Sequence, residues 1–162
     1  MVAVNEEGQQ VPLTEETPLY TIEQVATRTG LTKRTLRYYE EINLLPPTGR
    51  TEGNYRRYSE ADIQHLERIK ELRNLLGFSL SDIRQLLQAE DERDLIKLAY
   101  RQETDADGKI AQLDRADELI REQLRLVEQK IHGLEQMLSS LLLKLEHHQK
   151  RKNELKIENK NS

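Results

Sequence analysis

Within residues 31–40 of this 162-residue chain, Lys33, Arg34 and Arg37 crowd together with Thr32, Thr35, Tyr38 and Tyr39 on what reads as one short helix. A second basic and aromatic cluster, Asn54, Tyr55, Arg56, Arg57 and Tyr58, follows in a glycine-marked turn. Cationic side chains pair with phosphates, and arginine and tyrosine also reach base edges and sugars. Two such clusters this close in sequence imply a surface that docks on DNA. The chain shows no glycine-rich phosphate loop, nucleophile elbow or paired histidine and carboxylate constellation, so catalysis is not expected.

Elements must hold these side chains in place. Thr21 fits an N-cap for a helix bearing Ile22, Val25 and Ala26, and Gly30 breaks it. Thr32 caps the next helix, which should run over about 33–42. Helix, glycine-containing turn, helix is the spacing of a helix-turn-helix. Leu36 and Tyr39 then face the first helix, while Lys33 and Arg37, four apart, are left with Arg34 and Tyr38 for DNA. Pro46 and Pro47 stop the chain, and Gly49, Gly53 and Asn54 supply turns, so 48–58 reads as a two-stranded wing. Ser59 caps a third helix, with Asp62 standing in for the usual Glu of a capping box. That helix carries Ile63, Leu66, Ile69, Leu72 and Leu76 until Gly77 ends it. Ser79 starts a short one with Leu80, Ile83, Leu86 and Leu87.

Further on the pattern becomes regular. Ile110, Leu113, Asp117, Ile120, Leu124, Val127, Ile131, Leu134, Leu138, Leu141 and Leu145 alternate spacings of three and four, the seam of a coiled coil. A lone helix would leave that stripe in water, so a partner helix is required, and a second copy of the chain is the simplest one. Leu142 and Leu143 widen the stripe near its end. The expected plan is a disordered acidic leader at 1–18, a DNA-binding domain at 19–88, a linker with a short helix at 89–108, a dimerisation helix at 109–152 and a disordered tail at 153–162. The net charge of −4 argues against nucleic acid only on average, because 28–57 holds seven bases against three acids. There is no cysteine, signal peptide or membrane-length apolar run, so a soluble cytoplasmic protein is expected.

In their order and spacing, these segments resemble the MerR family of bacterial regulators. The segments are 20–26, 31–40, 50–54, Arg56 to Ser59 with Asp62 and Ile63, and 76–80. The resemblance implies a mostly α fold, a winged helix-turn-helix followed by a long helix that forms an antiparallel coiled-coil homodimer. It implies a regulator that binds a pseudo-palindromic promoter element and bends and untwists an overlong spacer, so acting on RNA polymerase indirectly. By the same match Thr32, Lys33, Arg34, Thr35, Arg37 and Tyr38 would contact DNA from the recognition helix, and Arg50, Tyr55, Arg56 and Arg57 from the wing. Tyr39 and Tyr58 would pack between wing and helix. Metal- and redox-sensing members use cysteines that this chain lacks, so thiolate-bound metals and iron–sulfur clusters are excluded. No cofactor is expected; the effector, a small molecule or a protein, is left open. A pocket between 89–108 of one subunit and the coiled coil of the other, with Tyr100 as its aromatic, follows by analogy.

Blander readings hold elsewhere. His147 and His148 are adjacent and point about 100° apart on a helix, so with His132 they read as solvated positions rather than a metal site. Asp105 to Gly108 lacks the remaining ligands of a calcium loop and reads as a helix-start turn. Two other roles fit the same architecture: a structural or recombination protein that binds DNA without controlling a promoter, and an enzyme-linked sensor whose coiled coil, apolar over 138–145, binds another protein instead of a small molecule.

Overall fold

A computed structural model of the chain describes residues 2–4, 10–12, 20–46, 49, 50 and 54–162, with backbone alone for 2–4, 10–12 and Arg50. It divides into two compact units, residues 1–88 and 89–162. In the leader, β1 (Val2–Val4) pairs antiparallel with β2 (Gln10–Pro12). The rest of the leader, Pro47, Thr48 and Gly53 lie outside the described residues.

The first unit is built on α1 (Ile22–Thr29), α2 (Lys33–Glu41) and α3 (Glu60–Lys70). Thr21 and Gln24 close a capping box on α1, and Gly30, at φ 71°, ends it in the left-handed conformation that lets the chain turn sharply into α2. Thr32 caps α2 by accepting the Thr35 N–H. After α2 the Tyr39 carbonyl accepts both the Leu44 and the Leu45 N–H, at 2.8 and 3.1 Å, which folds the chain back and buries both leucines. The wing consists of β3 (Gly49–Arg50) and β4 (Arg56–Arg57), paired antiparallel with Gly49 opposite Arg57. Tyr20 and Tyr58 exchange backbone hydrogen bonds of 2.9 Å each way and stitch the wing's exit to the entry of α1. Val25, Leu36, Tyr39, Tyr58, Leu66 and Ile69 are among the side chains that fill the core.

Ser59 and Asp62 form the reciprocal capping box of α3, at 3.1 and 2.8 Å, on a nearly buried serine. Ser59→Ala should therefore cost about 1 kcal/mol, read as a drop of roughly 4–8 °C in the thermal midpoint followed by circular dichroism. A midpoint within 1 °C of the parent would show that the cap contributes nothing.

The expectation for the end of this helix needs correction. The α-helix stops at Lys70 and continues as a π-helical turn, Glu71–Leu75. The wider turn shifts the helical phase, so Leu72 stays buried while Leu76, expected in the core, is exposed. The chain then re-enters the core at Phe78, after Gly77 at φ 68°.

Two further boundaries moved. The short helices expected on either side of residue 88 are one helix, α4 (Leu80–Gln102), because 88–94 is charged but free of glycine and proline. The tail expected to be disordered continues α5 (Ala106–Lys160), where Arg151 bridges Glu154 at 3.2 Å and Glu158 at 3.7 Å. At its start Asp105 caps Gly108, and Glu103 accepts the N–H groups of Thr104 and Asp105. Those N–H groups hold the Glu103 carboxyl below its ordinary range. A Cβ on Gly108 would lie 2.6 Å from Glu103 Cδ, so the glycine makes room for this turn.

In the second unit, Arg93 reaches Gln123 at 2.7 Å and Arg115 reaches Glu92 at 2.8 Å, making a hairpin of α4 and α5. Leu119, outside the seam read from the sequence, is the residue of α5 that is buried.

Candidate nucleic-acid interface

The expected recognition helix is α2, whose two faces carry unlike chemistry. Leu36 and Tyr39 are buried, and the Tyr39 hydroxyl accepts from Arg73 at 3.2 Å. On the other face Arg34, Thr35, Arg37, Tyr38 and Glu41 line a shallow depression. Tyr38 is 47% exposed. Such a face presents hydrogen-bond donors and an aromatic surface together, as base edges and phosphates require.

A second cleft joins the elements that sequence alone kept apart. It is lined by Arg37 of α2, by Asn54, Tyr55, Arg56 and Arg57 of the wing, and by Thr21, Ile22 and Glu23 at the start of α1. Three arginines around one opening suit a phosphate backbone. Tyr55 is 71% exposed beside them, and Asn54 takes a left-handed φ of 60° at the turn into β4.

Not every expected contact is equally available. Lys33 is tied to Glu23 at 2.8 Å, which holds the Glu23 carboxyl below its ordinary range. Thr32 shares a 2.8 Å hydroxyl contact with Thr35, so both serve the helix start while remaining on its outer side. Arg56 gives its Nε–H to Glu40 at 2.7 Å, which makes it a strut between wing and α2. The Tyr58 hydroxyl donates to the same carboxylate at 2.9 Å, and burial, then this bond, push its phenol up. Arg57 lines the cleft, and Arg50 is placed by its backbone in β3, its side chain lying outside the described residues. Thr21, Ile22, Glu23 and Glu40 were not among the residues expected at the interface. The one available signal was Glu40 itself, an acid directly after the basic run.

In the second unit Ile110, Leu113, Ile120, Leu124, Val127, Ile131, Leu134, Leu138, Leu141 and Leu145 are all exposed, from 37% at Val127 to 65% at Leu145. The hairpin with α4 covers a different face of α5, the one carrying Leu119. Among the described residues no three metal-ligating side chains come together, and no helix is long and apolar enough to cross a membrane.

Comparison with known proteins gives the chain's family. The family model described as "MerR HTH family regulatory protein" matches residues 20–90. The HTH-type transcriptional regulator YfmP of Bacillus subtilis is 40% identical over 110 residues, which cover 68% of this chain and 79% of that protein. The HTH-type transcriptional regulator ZntR of Escherichia coli is 34% identical over 123 residues, 76% of each chain. A crystal structure from Listeria monocytogenes assigned to the MerR family shares the fold, with a TM-score of 0.51 at 22% identity, over 78% of this chain and 83% of that one. The chain belongs to the MerR family of helix-turn-helix transcriptional regulators.

Proposed function

We propose that residues 20–88 bind double-stranded promoter DNA and that α5 brings two copies of the chain together, so that each dimer occupies two related half-sites. The observation that carries this reading is the exposed row Arg34, Arg37 and Tyr38, flanked by the arginine-lined cleft of the wing. The recognition helix lies in the major groove, where Arg37 and Tyr38 meet base edges and backbone, and Arg57 and Tyr55 hold the flanking phosphates. The bare seam of α5 is covered by the same seam of a second copy, running antiparallel as in the family the chain belongs to. Regulation follows from deformation: the dimer bends and untwists an overlong promoter spacer, and RNA polymerase reads the realigned elements without being touched.

Selection of duplexes from a random-sequence library by the full-length protein tests this. Enrichment of one pseudo-palindromic element with two half-sites is the expected result. Recovery of no preferred sequence, or of a single half-site bound by monomer, overturns it.

A further inference from the structure

Among the described residues, Glu40 joins the recognition helix to the wing through its carboxylate. It sits near the end of α2, one residue from buried Tyr39, and its side chain is 12% exposed. Each carboxylate oxygen has its own wing partner: Oε2 accepts the Arg56 Nε–H at 2.7 Å, and Oε1 accepts the Tyr58 hydroxyl at 2.9 Å. Tyr58 is fully buried, so one end of this bridge is anchored in the core. Arg56 also lines the cleft that Arg37 and Arg57 share, so the same guanidinium meets Glu40 at its Nε and borders the proposed backbone seat.

A two-residue strand pair is too short to fix its own angle to the rest of the domain, because its ladder supplies few hydrogen bonds. Carboxylate hydrogen bonds to a cation are the stronger and more directional kind, and this pair is mostly out of water. We infer that Glu40 is a positioning residue: it sets the distance between recognition helix and wing and aims Arg56 at a DNA phosphate. This rests on the DNA-binding reading above. A plain stability role would require only that something fill the space, whereas positioning acts through Arg56 and must vanish when Arg56 is gone.

The test is a double-mutant cycle of Glu40→Gln and Arg56→Gln, measured on the duplex that the wild-type protein enriches from the random library. Glu40→Gln keeps the size of the side chain and an acceptor for the Tyr58 hydroxyl, and removes the charge that holds Arg56. It should weaken binding about tenfold and lower the slope of log affinity against log salt by about one, the loss of one phosphate contact. In the Arg56→Gln background the same substitution should have no further effect on affinity or slope. Wild-type affinity for Glu40→Gln, or an equal loss in both backgrounds, overturns the inference while leaving the DNA-binding reading intact. Failure of the wild-type protein to enrich any duplex overturns both. Thermal midpoints of the four proteins, followed by circular dichroism, separate a folding defect from a binding one: a loss of affinity at Glu40→Gln that disappears at a temperature well below its midpoint also counts against positioning.

Discussion

Leu124→Lys should convert the dimer to monomer at micromolar concentration, as read by sedimentation equilibrium. Leu124 lies near the middle of the exposed stripe and is 50% exposed in the single chain, so half of its surface remains to be covered by a partner. Covering that half is worth about 0.7–1.5 kcal/mol per protomer, from ~1.5–3 kcal/mol for a whole leucine side chain. A lysine there loses this and must also bend its ammonium out to water. Two copies per dimer, with the cost of the lysine itself, bring the penalty to about 3–4 kcal/mol, or roughly 10²–10³-fold in dissociation constant. The α4–α5 hairpin should survive, since its contact runs through Leu119, Arg93 and Gln123 on another face. A dimer as tight as the parent's would show that the seam's register is misassigned.

Joint replacement of Arg37 and Tyr38 by alanine is expected to be the most damaging change to DNA binding in a gel-shift assay. Both side chains lie on the outer face of α2, so the core and the unfolding midpoint should hold within about 0.5 kcal/mol. Each good base or phosphate contact is worth about 1–3 kcal/mol. Losing two weakens binding by about 30-fold at the low end and more than a thousandfold at the high end. Arg37→Ala alone distinguishes the contact types: a phosphate contact lowers the salt slope by about one, whereas a base contact relaxes sequence preference at one position. Undiminished binding by the double variant would remove α2 from the recognition role.

Much of the first unit was legible because its signals are local. Thr21, Gly30, Thr32 and Ser59 each act within four residues of themselves, through caps and a left-handed turn, and the helices begin or end where they stand. The period of three and four in α5 is local in the same sense. What escaped was set at a distance or by phase. Glu40 meets Arg56 and Tyr58 across 16 and 18 residues, a pairing that no periodicity announces. Leu76 was misplaced because a π-helical turn cannot be read from side-chain spacing that assumes a constant 3.6 residues per turn. The continuous α4 was divided because its surface charges at 90–94 masked the thread of Ala89 and Ile96 beneath them. Leu119 was overlooked since α5 serves two neighbours, one within the chain and one outside it, and only the longer stripe has an obvious rhythm.

The bare stripe on α5 has a consequence for dosage. If a lone chain must find a second before its ten apolar side chains are covered, operator occupancy at low copy number rises with the square of protein concentration rather than linearly. Halving synthesis would then cut the number of assembled regulators fourfold. A promoter governed this way would answer more steeply to changes in the regulator's own expression than one read by a monomer.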